Sequence, residues 1–283
     1  MIEAIILWAL ALVWILFAVV QDIKTREIYN WLNFSLIIFA IGFRFFYSFF
    51  FLNGFNFLYQ GLIFGIFFFI LGEIFYYSKM FAGGDGKLFF ALGTVIPLNA
   101  SFFANLELVG LFILIFLIVG FLYGFIATLY FAIKNLSRFK KEFSRQFNKS
   151  KIFVYSLLGI SILLVALSFL GYPFWILGVI CFFLSYLYLL AKSVDESCMV
   201  KKFNVSMLTE GDWLYKDVKV GKKIVKATWD GLTKKEIYLL KKRNKDVLVR
   251  VGVQFSPAFL ISFVILFLGL LVDKVDFLWK AFW

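Results

Sequence analysis

Residues 82–88 of the chain read Ala-Gly-Gly-Asp-Gly-Lys-Leu: a single carboxylate, Asp85, ringed by glycines between two very apolar stretches. A charge beside hydrocarbon is costly, so an ionisable group in such a place marks a functional site by default. A second carboxylate, Asp22, follows the first apolar stretch. Two acids so placed can do acid–base chemistry, one taking a proton while the other gives one. Gly83, Gly84 and Gly86 open backbone conformations closed to other residues and leave room for another chain to lie close. If the next helix begins near Gly86, its N-terminal amides favour the Asp85 carboxylate. Each acid also has an ordinary reading: Asp85 as a helix cap, Asp22 as a polar residue closing a membrane helix at the interface. The pairing is what favours chemistry.

Composition narrows the alternatives. The chain has 283 residues, of which 63% are hydrophobic and 22% aromatic, with 41 Phe. That much apolar surface requires lipid as solvent. There is no His, which removes Ser-His-Asp and Cys-His catalysis and His-ligated metals. The two cysteines, Cys181 and Cys198, form neither a disulfide framework nor a CxxC pair. No cofactor is expected. The N-terminus lacks a basic leader region and a small-residue cleavage site, so residues 4–20 read as a retained membrane helix.

Spanning-length apolar runs cover 4–20, 31–52, 57–78, 106–133, 151–170, 174–192 and 257–272. Residues 86–103, with Pro97 bending or ending the helix, are an eighth candidate. Alternating the connections between two sides puts 26 of the 29 Lys and Arg residues on one of them, in the segments 21–30, 79–87, 134–151 and 192–256. The other side receives 53–56, 99–105 and 171–173, which have none, and the tail with Lys274 and Lys280. The positive-inside rule makes the basic side cytoplasmic, and Asp22 and Asp85 both fall there. The net charge of +12 is thereby topological, with attraction to anionic lipid; no nucleic-acid motif accompanies it.

The expected architecture is an all-α polytopic membrane protein of six to eight helices with a small β-rich cytoplasmic domain. Residues 1–194 form the helical domain carrying both acids, 195–255 a soluble α+β segment, and 256–283 a final span and tail. Partial alternation over 201–208, 213–220 and 246–253 predicts strands, and Thr233 with Glu236 predicts a capped short helix. Arg44 and Glu73 lie inside adjacent spans, where they could pair as ions or shape a groove. Glu210 and Asp212 fit a turn.

The segment after Asp22 reads Asp22-Ile-Lys-Thr-Arg26-Glu-Ile28-Tyr-Asn30-Trp31, with Asn30 as the expected N-cap of the next span. Asp-x3-Arg-x-Ile-x-Asn after a first span, with a Gly-x-Gly-Asp type motif before a fourth, resembles the prepilin peptidase family of GxGD aspartyl proteases. Here Ala82 takes the place of the first glycine, while Gly84-Asp85 and the following Lys87-Leu88 are kept. Glu210-Gly-Asp-Trp213, Gly231 to Glu236, and Val251-Gly-Val-Gln-Phe-Ser-Pro257 resemble the archaeal branch, the preflagellin peptidases or class III signal peptidases. The resemblance covers residues 1–100 and 195–272. It implies catalytic Asp22 and Asp85, supported by Gly83, Gly84, Gly86, Lys87, Arg26 and Asn30. It implies as substrate the N-terminus of a preflagellin or prepilin, with a short basic leader, a Gly before the cut and a hydrophobic helix in the bilayer. The implied site is at the cytoplasmic face of the cell membrane, and the tetracysteine zinc segment of bacterial members is absent. A presenilin-like protease cutting inside spans, and a transporter using the two acids as an ion or proton relay, are the alternatives. The residues do not say which acid is the base, nor the oligomeric state.

Overall fold

The computed structural model describes residues 2–52, 54–78, 80–99, 101–169, 173–221, 223–228, 231–242 and 246–271. Lys79 and the tail carrying Lys274 and Lys280 lie outside them. The chain forms two compact units, residues 1–124 with 254–283, and residues 125–253. Six described helices are long and apolar enough to cross a membrane. With a few short strands among them, they make a mostly-α polytopic membrane protein.

The first unit holds α1 (Ile2–Thr25), α2 (Asn30–Phe51), α3 (Asn56–Tyr77), α4 (Gly83–Val95), the first part of α5 (Phe102–Lys134) and, numbered in chain order, α10 (Ser256–Leu271). The 86–103 candidate is not one spanning-length helix, but its chain returns alongside α3, since Arg44 ties the end of α4 to the Phe57 carbonyl at the start of α3. Its helix, α4, has 13 residues, about 20 Å of rise against a hydrocarbon core of about 30 Å. Pro97 follows its end, and Leu88, Phe89, Ala91, Leu92 and Val95 are all buried. So α4 is a short helix enclosed by its neighbours, not by lipid.

Glycines set how closely α3 and α4 cross. A Cβ on Gly93 would lie 2.5 Å from the Phe68 Cβ and 2.7 Å from the Phe64 carbonyl oxygen. One on Gly72 would lie 3.0 Å from the Gly86 carbonyl. Gly65 and Gly72 on α3, and Gly86 and Gly93 on α4, each stand two helical turns apart, the small-residue seam that lets membrane helices approach.

The end of α4 is capped by side chains. Arg44 does not reach Glu73; it is wholly buried and donates to the carbonyls of Thr94 (2.8 Å), Val95 (3.1 Å), Phe57 (2.9 Å) and Pro97. The expected Arg44–Glu73 ion pair is thus replaced by a cation on carbonyls at a helix C-terminus, where the dipole favours it. Trp8 Nε1 also donates to the Val95 carbonyl at 3.0 Å. Buried Asn105 closes the turn after α4, accepting from the Leu98 and Asn99 amides and donating to Gln60.

The second unit contains the rest of α5, then α6 (Leu136–Lys149), α7 (Lys151–Ser168), α8 (Trp175–Ser197) and α9 (Lys234–Lys241). Its strands are β1 (Val200–Phe203), β2 (Trp213–Leu214), β3 (Val218–Val220), β4 (Lys223–Val225) and β5 (Val247–Arg250). Helices α7 and α8 form a hairpin, with Ser161 Oγ donating to the Gly178 carbonyl at 2.7 Å. The strands make an antiparallel sheet ordered β1-β5-β2 and a β3–β4 hairpin. Their apolar faces enclose Leu214, Val225, Leu240, Val247 and Val249. The expected capping box of Thr233 and Glu236 starts α9. Asp212 accepts from the Thr209 amide at 2.8 Å beside Gly211, whose φ is +94°, so Glu210 to Asp212 is a turn as expected. Arg250 binds Asp195 (2.9 Å) and Glu196 (3.0 Å), tying β5 to the end of α8. Tyr215 donates to Glu196 at 2.7 Å, and that bond, with burial, pushes its phenol above the ordinary range.

Candidate active site

Asp22 lies in the last turn of α1, one helical turn before the chain leaves the helix. Arg26 ends it: its φ is +61°, and its amide donates to the Asp22 carbonyl at 2.7 Å. That is the left-handed C-terminal stop usually made by glycine. Asp22 is 6% exposed and accepts from Ser256 Oγ at 2.6 Å. Ser256 is the first residue of α10, 234 positions along the chain.

Asp85 lies in the first turn of α4, which begins at Gly83 and so three residues earlier than expected. It is 8% exposed, and its Oδ2 accepts from the Ala82 amide at 3.2 Å. This is one half of a capping box; Ala82 has no side-chain acceptor for the other half. The charge of Asp22 acts on Asp85. The Asp22 charge also acts on Tyr123 of α5.

The supporting residues divide. A Cβ on Gly84 would sit 3.2 Å from the Ile28 Cβ and 3.4 Å from the Ile28 amide nitrogen and carbonyl oxygen, so a side chain there would press on Ile28 and require it to give by a few tenths of an ångström. Asn33 donates to the Gly84 carbonyl at 3.2 Å. Gly86 faces Gly72 across the α3–α4 seam. Gly83 faces open space, with the Tyr76 ring the nearest neighbour at 3.9 Å. Lys87 Nζ donates to Asn30 Oδ1 at 2.7 Å. Asn30 is therefore not the N-cap expected of it: it is the first residue of α2, Tyr29 holds the cap position without a side-chain bond, and the Asn30 amide oxygen is turned to Lys87.

Three residues were missed by the sequence reading. Ile28 was quoted without a role, yet it is the residue that Gly84 accommodates. Asn33, a buried amide inside an apolar run, carried a signal, since polar groups within spans are conspicuous. Ser256 carried a weaker one: Ser-Pro at the start of an apolar run is a helix-start pattern, but nothing local says what the hydroxyl meets.

Residues 9–133 match the model of the type IV leader peptidase family. That segment, which holds both aspartates and the Gly84–Lys87 start of α4, is similar to the type IV leader peptidase family, and the likeness supports a peptidase that processes leader peptides. No curated protein and no solved structure matches the chain.

Proposed function

We propose that the protein is an aspartyl endopeptidase that removes the short leader from archaeal preflagellins, or from other type IV pilin-like precursors, at the cytoplasmic face of the membrane. The observation that carries the reading is the pair of buried carboxylates, Asp22 and Asp85, brought within each other's electrostatic reach from helices 63 positions apart in sequence. Two carboxylates a few ångströms apart do not both ionise cheaply, so the pair shares a proton. The ionised member takes a proton from water as the water oxygen attacks the scissile carbonyl carbon. The protonated member gives its proton to the carbonyl oxygen. Collapse of the resulting gem-diol breaks the C–N bond, and the proton held by the base passes to the leaving nitrogen.

The open side of Gly83 gives an extended substrate backbone room beside Asp85, while Gly84 and Gly86 are committed to packing. The cytoplasmic orientation rests on the distribution of Lys and Arg. In the described residues no group of three or more His, Cys, Asp or Glu could hold a metal. The test is to reconstitute the full chain in proteoliposomes with a preflagellin precursor and map the cut by mass spectrometry. Cleavage directly after the Gly that precedes the apolar helix is expected. A cut within that helix, or ion flux without any cut, would overturn the assignment.

A further inference from the structure

The geometry points to Ser256 as a third member of the site: a positioning residue that pins one oxygen of Asp22 and holds that carboxylate in its charged form. Asp22 is thereby the proton-accepting member and Asp85 the proton-donating one. This rests on the reading of Asp22 and Asp85 as the acid–base pair. It goes beyond that reading by assigning their roles and by bringing in α10, which lies outside the segment matching the leader peptidase family.

The hydroxyl of a serine inside a helix ordinarily turns back to a carbonyl of its own preceding turn. Ser262 does so, donating to the Ala258 carbonyl at 2.7 Å. Ser256 opens α10 and has no preceding turn to donate to. It is fully buried, and its hydroxyl goes to Asp22 Oδ2 at 2.6 Å, a donor that favours the charged form of the carboxylate. The N-terminal end of α10 is then directed at Asp22, where its dipole favours negative charge. Asp85 accepts a longer bond, 3.2 Å, from the Ala82 amide in its own turn. A donated hydrogen bond stabilises the charged form of its acceptor, so the more strongly bonded acid keeps the charge and repulsion leaves the proton on the other.

Ser256 is held in place by its neighbour rather than by this bond. The Phe255 ring sits against Gly120, where a Cβ would meet it at 2.7 Å, and packs edge-on against Phe116 and Phe259 and tilted against Phe81. Removing the hydroxyl therefore leaves the start of α10 anchored. Among the described residues of packed elements, the Asp22 charge acts on Asp85 of α4 and Tyr123 of α5. On α2, Arg44 is engaged at the opposite end of α4.

The experiment uses the full chain in proteoliposomes with Ser256→Ala, Ser256→Cys and Ser256→Thr. Ser256→Ala is expected to lower kcat roughly tenfold to a hundredfold, as expected for losing a hydrogen bond to a charged group, with KM within about twofold. Ser256→Cys, a weak donor of similar size, should follow Ala, and Ser256→Thr should retain most of the rate. The second readout does not depend on cleavage. The infrared difference between the chain and its Asp22→Asn variant isolates the Asp22 carboxylate band. That band should shift in the Ser256→Ala background and stay in place with Ser256→Thr. An unmoved band with Ala and Cys would overturn the role of Ser256 even if cleavage proceeds as proposed. A moved band in a chain that cleaves nothing would uphold Ser256 and sink the peptidase reading instead.

Discussion

Gly84 and Gly83 are adjacent and chemically identical, yet their surroundings set opposite expectations for them. Gly84 is pressed against Ile28 and Gly83 faces open space. Gly84→Ala should cost about 1–3 kcal/mol, the range for overpacking, and displace Asp85. A fall in melting temperature together with lost cleavage would check it. Gly83→Ala should be nearly silent in both measurements. The same contacts explain why the two motifs occur together. Ile28 meets Gly84, Asn33 holds the Gly84 carbonyl, and Asn30 receives Lys87. The segment after Asp22 is thus the bed on which the first turn of α4, with Asp85, rests. Lys87→Met should remove the Asn30 bond and, because that pair is exposed, change stability by less than about 1 kcal/mol.

At the level of elements, α4 is the piece most dependent on its neighbours. Thirteen residues with three glycines in the first turn make a poor helix alone. The α3 seam and the Arg44 cap hold it. Arg44→Met should strand the carbonyls of Phe57, Thr94, Val95 and Pro97 without their donor. The expected destabilisation is at least about 3 kcal/mol, read as a lower melting temperature in detergent. Gly42→Ala, with nothing within 4 Å of the new Cβ, is the control and should leave the melting temperature unchanged. What the sequence made legible divides along this line. Long apolar runs bounded by charges announced the spanning helices, because lipid imposes length and hydropathy directly. The run 86–103 looked the same but is a helix enclosed by protein, and apolar composition does not tell lipid from a protein interior. The partners of Arg44 and the position of Ser256 were illegible for a related reason. Ser256 and three of the four Arg44 bonds satisfy polar groups with something 50 or more residues away, and a single sequence carries no record of such pairings.

For the whole molecule, charge asymmetry is the governing feature. Basic residues are concentrated in alternate connections, and the proposed orientation puts those connections in the cytoplasm. Exposed Lys140 on α6 tests this. With Cys181 and Cys198 replaced by Ser, Lys140→Cys should react with a membrane-impermeant thiol reagent in inverted vesicles and not in intact cells. The acid–base pair stands at the end of α1 and the start of α4, joined by α10, so the first unit alone carries every group assigned to the chemistry. Chelators should leave the rate unchanged, since the mechanism routes each proton through a carboxylate.

The most direct test is cleavage of a leader-bearing precursor by Asp22→Asn and Asp85→Asn variants reconstituted at matched levels. Each substitution keeps the volume and removes the titrating group. The paired mechanism predicts that each lowers the rate by about 10²–10⁴-fold or more, with both variants still folded in the membrane. Undiminished cleavage by either variant would contradict it.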